Sequence, residues 1–466
     1  LGAEVDLEKV PLKYAGLSYT EIWISEAQER MVIAVKPENI ESIMKIFAAE
    51  DVEATVIGRF TGDKKLTLRY NGVQVGQLDM QFLHEGICKY SRNAVWKTKS
   101  LSEPVLPSQK NFTEDLLKIL GSYNVASKEW VIRQYDHEVQ GGSVIKPLMG
   151  AQNDGPMDAA VIRPRFHHNK GIVISCGMNP CYGDIDPYWM ALAGIDEAVR
   201  NLICVGANPD RIALLDNYCW GDCSRPEMLG ALVRASQACY DAAIAYGAPF
   251  ISGKDSLNNE FVCDDGSRIV IPYTLLISGI GIVENIQQCI TMDVKKPGNL
   301  IFIIGLTKNE LGGSHYYKIH GHLGANVPQT NLSQAPVIAS RIAEAIRRGL
   351  VRSCHDCSEG GLAAALAEMA FAGAFGIEAD LRGLPLSPDC VTPAAALFSE
   401  STARYLVEVE PQHYDAFAKL MLNVPFGQLG EVIEDKKLLI RDTQQKTVIE
   451  AELDILKEAW KKPLAW

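Results

Sequence analysis

The chain of 466 residues is 47% hydrophobic and 22% charged, and its net charge is -12. Length and composition predict a globular protein of about three domains with a large core. The negative charge argues against a general surface for nucleic acid or for an anionic membrane, since both would repel it. A local basic pocket for a phosphorylated small molecule remains compatible with this charge. No apolar run reaches the roughly 18 residues that a membrane helix needs.

The twelve cysteines are scattered along the chain, and Cys354 and Cys357 have the Cys-x-x-Cys spacing. A zinc ribbon needs two such pairs at a suitable separation, and here the cysteine pairs lie far apart in the sequence. We therefore expect free thiols and a cytoplasmic location, where thiols stay reduced. The polar N-terminus without an apolar segment agrees with this, because it does not resemble a signal peptide. Since Leu1 stands where a natural start would have Met, we expect the natural beginning upstream.

The first 112 residues divide into a compact α/β segment, residues 1–90, and a polar, proline-bearing linker, residues 91–112. Periodicity in the α/β segment predicts a strand over 30–35, an amphipathic helix over 38–50, a strand over 54–58, and a strand over 65–70 that enters a hairpin at Asn71-Gly72.

Two larger units are expected after the linker, over residues 113–285 and 286–466. The first has predicted helices over 196–205 and 226–246, a strand over 211–216, and a strand that ends at Gly253. The second opens with a buried strand over 299–305 and has a helix after residues 358–361. Its last strands and helices lie between residues 403 and 460.

An internal repeat links the two ends of the chain. Residues 25–37 read Ser-Glu-x-x-x-Arg, then an apolar run, then Pro, and residues 399–411 repeat this order. Both copies continue into an amphipathic helix and a glycine-containing strand. The separation of Arg30 from Arg404 gives a repeat length of about 370 residues. We therefore expect that only the tail of a first copy is present, that roughly three hundred residues are missing upstream, and that the two copies pack as a pseudo-dimer.

A Gly-Lys-Asp-Ser turn, residues 253–256, follows the apolar residues Phe250 and Ile251. Glycine lets the backbone approach a ligand, and the other three side chains offer a positive charge, a metal ligand and a hydroxyl. Together these suit a polyphosphate with Mg²⁺. The alternative is an ordinary exit from a strand with a solvated Lys-Asp pair.

The turn is the last of several segments that occur in a fixed order. They are Asn179-Pro180, residues 184–188 (Asp-Ile-Asp-Pro-Tyr), residues 198–202 (Ala-Val-Arg-Asn-Leu), Asp216-Asn217 and residues 253–256. With these segments the chain resembles the phosphoribosylformylglycinamidine synthases, members of the aminoimidazole-ribotide-synthetase superfamily, over essentially its whole length.

The resemblance implies an α/β (α+β) fold built from a duplicated two-domain module whose N-terminal copy is truncated. Residues 1–90 would be the tail of the C-terminal domain of the first copy. Residues 113–285 would be the ATP-binding-type domain of the second copy, and residues 286–466 its C-terminal domain.

The implied activity is an ATP-dependent amidation in purine biosynthesis, with Mg²⁺. ATP phosphorylates the amide oxygen of formylglycinamide ribonucleotide, and ammonia then displaces phosphate to give the amidine. The resemblance implies that a glutaminase subunit supplies the ammonia, with or without a small bridging subunit. No glutaminase segment follows residue 460.

Site residues are implied one at a time by the resemblance. Asp216 and Gly253 would contact ATP. Lys254 stands where shorter relatives have an Mg²⁺-binding Asn, and because an ammonium cannot ligate Mg²⁺ we expect it to touch phosphate. Ser256, with Glu26, Ala27 and Gln28, would bind substrate, although Ala27 lacks the hydroxyl of the family's serine. The alternatives are a helix N-cap for Asp216 and a solvated strand entry for Glu26 and Gln28.

The second copy is expected to be degenerate. The catalytic histidines of the family lie in the first half, and of the pseudo-equivalent segments here, 135–138 and 175–179, the latter has no His. The cleft of this copy would hold a structural nucleotide, with His137, Lys146, Asp356 and Ser358 as candidate contacts. Ser358 either faces an anion at a helix start or caps that helix. A metal site at His355-Asp356 is disfavoured because no further His or carboxylate cluster is evident in sequence.

Two functions remain open. The chain could be the C-terminal portion of the synthase, with no catalytic residue of its own and inactive alone. It could instead be a non-catalytic nucleotide-binding scaffold that stabilises the pseudo-dimer and docks a glutaminase. An ammonia-dependent assay with formylglycinamide ribonucleotide and ATP separates the two.

Overall fold

The computed structural model describes residues 1–27 and 30–466, apart from the side chain of Val139. The chain separates into two compact units, Leu1–Ser91 and Arg92–Trp466. Each unit is described by itself below.

The first unit is a four-stranded sheet with three helices. Its elements are β1 (Gly2–Asp6), α1 (Tyr19–Ile24), α2 (Ile40–Ala49), β2 (Gly58–Thr61), β3 (Lys65–Tyr70), β4 (Val73–Asp79) and α3 (Met80–Glu85). The sheet order is β2-β1-β3-β4, in which β1 is antiparallel to β2 and parallel to β3. The predicted helix over 38–50 and the hairpin at Asn71-Gly72 are confirmed, and both turn residues have positive φ.

Two strand predictions in this unit were wrong. Residues 30–35 form no strand, and Met31 and Val32 are 86% and 84% exposed. The expected strand over 54–58 begins only at Gly58, where pairing with β1 starts. The cause is the same in both places, because a β-pattern becomes a strand only where a neighbouring strand satisfies its backbone N–H and C=O groups.

The first half of the second unit is a six-stranded sheet covered by two long helices. Its elements are α4 (Thr113–Leu120), α5 (Glu129–Arg133), β5 (Ser143–Ile145), β6 (Leu148–Met149), β7 (Gly155–Pro156), β8 (Ala160–Ile162), β9 (Gly171–Gly177), α6 (Pro180–Gly183), α7 (Pro187–Cys204), β10 (Ile212–Cys219), α8 (Pro226–Tyr246), β11 (Phe250–Ser256), β12 (Glu260–Val262), β13 (Arg268–Val270) and β14 (Thr274–Val283). The sheet order is β11-β10-β14-β9-β8-β5, which leaves β11 as an edge strand.

Local signals explain the two long helices. Helix α8 has the predicted bounds, because proline stands at its first position and Gly247 takes the left-handed conformation (φ 63°) after its end. Helix α7 begins nine residues before the predicted start at Asp196. The Asp186 side chain accepts the N–H of Tyr188 and Pro187 occupies the first turn, so this aspartate-proline pair is the true start.

The second half of this unit is a seven-stranded sheet. Its elements are β15 (Leu300–Ile304), α9 (His315–Ile319), α10 (Ala335–Arg347), β16 (Ser353–Asp356), α11 (Gly361–Gly373), β17 (Gly376–Asp380), α12 (Pro393–Phe398), β18 (Tyr405–Val409), α13 (Tyr414–Leu420), β19 (Phe426–Ile433), β20 (Lys437–Arg441), β21 (Thr447–Glu452) and α14 (Leu453–Lys461). The order is β16-β18-β15-β19-β17-β20-β21. The predicted strand β15 and the helix after residue 361 are confirmed.

Residues 92–112, the first part of the second unit, contain no helix or strand, and their side chains contact later residues of the same unit. The ring of Trp96 lies 5.8 Å from the guanidinium carbon of Arg234. Glu103 accepts the hydroxyl of Tyr317 over 2.8 Å and the N–H groups of Ala325 and Asn326 over 2.6 Å each. Residues 92–112 are therefore fixed to the rest of the second unit by specific contacts.

The four strands of the first unit have the same topology as strands β17, β19, β20 and β21. The order β19-β17-β20-β21 matches β2-β1-β3-β4 in strand directions, and the antiparallel pairs Val5–Gly58 and Ala379–Gly430 stand at corresponding positions. An ion pair joins Arg69 to Glu4 in one sheet, and another joins Arg441 to Glu378 in the other.

Candidate functional site

The carboxylate of Asp216 lies over Gly253 at the edge of the six-stranded sheet. Asp216 in β10 pairs with Gly253 in the parallel edge strand β11, and Ser256 pairs with Cys219 three residues further on. A Cβ on Gly253 would stand only 2.1 Å from Oδ1 of Asp216. Glycine is therefore the residue that lets the two strands hold this carboxylate against the backbone.

The charges along β11 divide between its two faces. Successive side chains of a strand alternate, so Asp255 shares a face with Gly253 and Asp216, whereas Lys254 shares the other face with Ser256. The Nζ of Lys254 lies 3.3 Å from Oγ of Ser256. Burial and the nearby Asp255 raise the pKa of Asp216. The turn thus offers a carboxylate pair on one face, and an ammonium and a hydroxyl on the other.

The structure thereby brings together four of the residues implied by the resemblance, namely Asp216, Gly253, Lys254 and Ser256. Asp216 lies inside a strand, so the alternative of a helix N-cap does not apply. Residues 251–255 are exposed, which leaves the turn open to a ligand.

The other implied substrate residues lie in the first unit, directly after α1. Glu26 is exposed, Ala27 is half-buried, and Gln28 lies outside the described residues. Arg30 donates from its guanidinium to the carbonyl oxygen of Ser25 over 3.0 Å, which closes the loop that carries Glu26 and Ala27.

His137 and Lys146, two candidates for the second cleft, have local partners. His137 places Nδ1 3.1 Å from the carbonyl oxygen of Tyr135, and its Nε2 lies 3.6 Å from Glu138. The Nζ of Lys146 lies 2.9 Å from the same Glu138 carboxylate. Both side chains therefore converge on one acidic side chain.

Asp356, the third candidate, belongs to a buried cluster of ionisable groups, called the acidic cluster below, with Asp158, His355 and Glu368. Ligand atoms of Asp158, His355 and Asp356 lie within 4.8 Å of one another. His355 stands between two carboxylates, with Nδ1 2.9 Å from Asp158 and Nε2 3.2 Å from Glu368. Arg200 donates to Asp356 over 3.2 Å. The expectation that no carboxylate cluster accompanies His355-Asp356 was therefore wrong.

The electrostatics of this cluster favour a cation. Burial opposes protonation of His355, but Asp158 and Glu368 outweigh it and raise its pKa well above the usual range. Burial, with the nearby carboxylates of Glu400 and Asp356, raises the pKa of Glu359 to about 7. Burial and the carboxylates of Glu359 and Asp356 also raise the pKa of Glu197. A divalent cation would offset this concentration of negative charge.

Two buried oxygen atoms, one in the cluster and one on α7, lack a hydrogen-bond partner within the described residues. Oδ2 of Asp158 and Oδ1 of Asn201 are buried and have no hydrogen-bond partner in the described part of the chain. Asn201 stands one helical turn after Glu197 on α7, so both side chains face the same way. Carboxylate and amide oxygens are the ligands that Mg²⁺ prefers. Both ring nitrogens of His355 are already engaged, which makes it a support for Asp158 rather than a ligand.

Ser358, the fourth candidate, lies in the loop between β16 and α11. The residue at the helix N-cap is Gly360, and no side chain caps this helix. Of the two roles left open for Ser358, capping is therefore excluded.

Sequence reasoning missed Asp158, Glu197, Asn201 and Glu368. They come from a loop, from α7 and from α11, and nearly two hundred residues separate Asp158 from His355. The one available signal was the spacing of Glu197 and Asn201, which places both on one helix face within a segment that carries the resemblance.

All twelve cysteines are free thiols, as expected. The candidate metal cluster contains none of them, so within the described residues nothing supports a zinc site. Among the helices that the structure describes, none combines the length and apolarity needed to cross a membrane.

Models of two domains of one protein family match this chain. The model of the N-terminal domain of AIR synthase related proteins matches residues 156–283, and that of the C-terminal domain matches residues 1–71 and 296–442. The chain belongs to the AIR synthase related family, as the resemblance implied.

Within this family the chain is similar to phosphoribosylformylglycinamidine synthase subunits PurL. It is 34% identical to that of Thermococcus sibiricus over 97% of this chain and 60% of the relative. It is 38% identical to that of Thermococcus gammatolerans, over 92% and 57%. With the subunit of Methanocaldococcus jannaschii the identity is 34%, over 99% and 61%. The chain thus spans about three fifths of the length of these relatives.

Solved structures agree on the fold. PurL of Thermotoga maritima complexed with ADP superposes with a TM-score of 0.59 at 21% identity, over 93% of this chain and 60% of that one. The same protein complexed with FGAR gives 0.57 at 17% identity, over 74% and 53%. At these identities the likeness establishes the mixed α/β architecture.

Proposed function

We propose that this chain forms the C-terminal portion of an ATP-dependent ligase that converts formylglycinamide ribonucleotide to formylglycinamidine ribonucleotide in purine biosynthesis. The observation that carries this is the Asp216–Gly253 pairing at an exposed strand edge, in a chain similar to PurL over nearly its whole length. A structure of a similar protein contains ATP, and another contains FGAR.

The exposed turn suits the transfer of a phosphoryl group. Asp216 and the backbone at Gly253 would hold ATP, and the ammonium of Lys254 would neutralise charge on the transferring phosphate. Ser256, which neighbours Lys254, would bind the substrate. In the first unit, Glu26, Gln28 and the backbone of Ala27 are proposed as substrate-binding groups. Mg²⁺, which accompanies ATP, would find Asp216 and Asp255 on one face of the strand.

The rest of the machinery lies outside this chain in the proposal. The shared topology of the first unit and residues 376–461 supports two copies of one module that pack as a pseudo-dimer. The catalytic histidine would belong to the upstream part of the first copy. A glutaminase subunit, with a small bridging subunit, would supply ammonia, and the twelve free thiols support a cytoplasmic location.

The acidic cluster supports a second, non-hydrolysed nucleotide with Mg²⁺. Asp158, Asp356 and Glu197 would hold the cation, which neutralises the phosphates, and Ser358 would face them. His137 and Lys146 would contact the same nucleotide. This second site is also what a purely structural, nucleotide-binding scaffold would need.

An ammonia-dependent assay tests the proposal. The chain is incubated with formylglycinamide ribonucleotide, ATP, Mg²⁺ and ammonia, alone and with the N-terminal part of the Thermococcus sibiricus relative added. We expect nucleotide binding but no turnover alone, and turnover after the addition. Turnover by the chain alone would contradict an upstream catalytic histidine. Binding without turnover in the completed complex would favour the scaffold.

A further inference from the structure

Glu400 lies in the interior of the second unit, where four hydrogen-bond donors converge on its carboxylate. The N–H and Nδ1 of His315 lie 2.9 and 3.0 Å from Oε1, and the N–H of Gly360 donates to the same oxygen over 2.8 Å. Tyr182 donates its hydroxyl to Oε2 over 2.5 Å. These donors belong to α9, the start of α11 and α6, so a single side chain joins three elements.

The start of α11 is packed directly against the segment that leads to Glu400. Gly360 and Gly361 both have positive φ, at 77° and 65°. A Cβ on Gly361 would stand 2.6 Å from the carbonyl oxygen of Ser399, so only glycine allows this approach. The turn therefore cannot shift without breaking its contact with the residues on either side of Glu400.

The same turn adjoins the acidic cluster. Ser358 and Glu359 lie in the short loop between Asp356, the last residue of β16, and Gly360 at the start of α11. Whatever fixes the N–H of Gly360 therefore also restrains the backbone that carries Ser358 and Glu359. Glu400 itself is buried, and its carboxylate is already engaged by four donors, which leaves it no role as a ligand of a cation.

We propose that Glu400 is a positioning residue of the acidic cluster: through the N–H of Gly360 it holds the turn before α11 in the one conformation that presents Ser358 and Glu359 to a divalent cation. This inference rests on the proposed cation site at Asp158 and Asp356. His315 secures the same oxygen of Glu400 that accepts from Gly360, and the Tyr182 hydroxyl secures the other oxygen.

Electrostatics agree with a permanently charged Glu400. Burial raises its pKa, but His315, Tyr182 and Gly360 outweigh burial, and the net shift is downward. Burial likewise opposes protonation of His315, and Glu400 outweighs it, so the pKa of His315 is raised. A neutral amide in place of this carboxylate would keep one oxygen for Gly360 and His315, but those hydrogen bonds would lose their charge, and its NH₂ group would replace the oxygen that Tyr182 now donates to.

Glu408 provides a matched control. It is also a buried carboxylate held by several donors, namely the N–H groups of Lys295 and Lys296, the Asn299 amide and the Ser353 hydroxyl. None of these donors belongs to the turn before α11. Glu408→Gln therefore imposes the same chemical change on the fold without releasing Gly360.

The test compares Glu400→Gln with Glu408→Gln in the full chain. Mn²⁺, a spectroscopic substitute for Mg²⁺, is titrated by electron paramagnetic resonance, and the site is identified as the one that Asp356→Asn removes. We expect Glu400→Gln to weaken it about tenfold or more, and Glu408→Gln to leave it within about twofold. Equal weakening in both variants, or none in Glu400→Gln, would overturn the proposal.

Hydrogen exchange supplies a readout that needs no cation. In Glu400→Gln the amides of residues 358–362 should exchange at least about tenfold faster, and in Glu408→Gln they should not. If Glu400→Gln does not fold, Tyr182→Phe, which removes one donor, should show the same effects in weaker form. Absence of an Asp356-dependent Mn²⁺ site in the wild type refutes the cation site alone. Unchanged exchange in the variant refutes the positioning role alone.

Discussion

Replacement of Gly253 by Ala tests the proposed ATP site with a minimal change. The new methyl carbon would lie 2.1 Å from Oδ1 and 2.8 Å from Cγ of Asp216. Ordinary contacts are longer than 3 Å, so the carboxylate must swing away by about 1 Å or more. The backbone of β11 has no other reason to move, because residues 251–255 are exposed and Gly253 does not need the left-handed conformation.

The expected loss of ATP affinity follows from the contact that the displaced Asp216 carboxylate no longer makes. It would lose the contact with the nucleotide or its cation that we propose for Asp216. A hydrogen bond to a charged group contributes roughly 1.5–3 kcal/mol, which corresponds to about 10- to 150-fold in the dissociation constant for ATP. Stability should change by less than about 1 kcal/mol, since the site lies on an exposed edge strand. Calorimetric titration with ATP and Mg²⁺ and thermal unfolding measure the two quantities.

Gly62→Ala is the control, because a Cβ there meets nothing within 4 Å. It should alter neither nucleotide affinity nor the melting temperature. Unchanged ATP affinity in Gly253→Ala would refute the view that the Asp216 carboxylate, held against Gly253, binds the nucleotide. A large fall in melting temperature with unchanged affinity would instead show that Gly253 serves the fold.

Three further predictions concern the two sites. Asp216→Ala should weaken ATP binding by roughly 1–3 kcal/mol without unfolding the chain, and unchanged affinity in calorimetry would count against the assignment. Lys254→Gln should weaken ATP more than adenosine, because the ammonium acts on phosphate; an equal loss for both ligands would contradict this role. The raised pKa of Glu359, about 7, means that the folded state keeps a proton there after the unfolded state has lost it, so stability falls as pH rises from about 4.5 to about 7. The affinity for Mn²⁺ should rise as the pH increases through about 7, because Glu359 then loses its proton. In Glu359→Gln this rise should be smaller, and an equally steep dependence of Mn²⁺ affinity on pH would exclude Glu359 as its cause.

Elements with local signals could be predicted from sequence, and those that depend on distant partners could not. Helix α8 has a proline at its first position and a glycine after its end, so both bounds were correct. The start of α7 was missed because the capping role of Asp186 was not recognised. At the exposed turn the motif identified Lys254 and Ser256, but the pairing of Gly253 with Asp216 depends on strand register. The acidic cluster joins residues of no common motif, so proximity alone reveals it.

The repeat shows why a strand pattern alone is insufficient. Residues 31–35 and 405–409 occupy the same place in the repeat, yet Met31 and Val32 are exposed whereas Tyr405 and Leu406 are 1% and 0% exposed. Strand β18 lies between β15 and β16, and both of these precede residue 376, where the second copy of the four-stranded topology begins. Residues 1–27 and 30–91 contain no counterpart of either strand. Similar apolar sequences therefore differ in structure because one has partner strands, and the proposed upstream copy is the kind of partner that residues 31–35 would need.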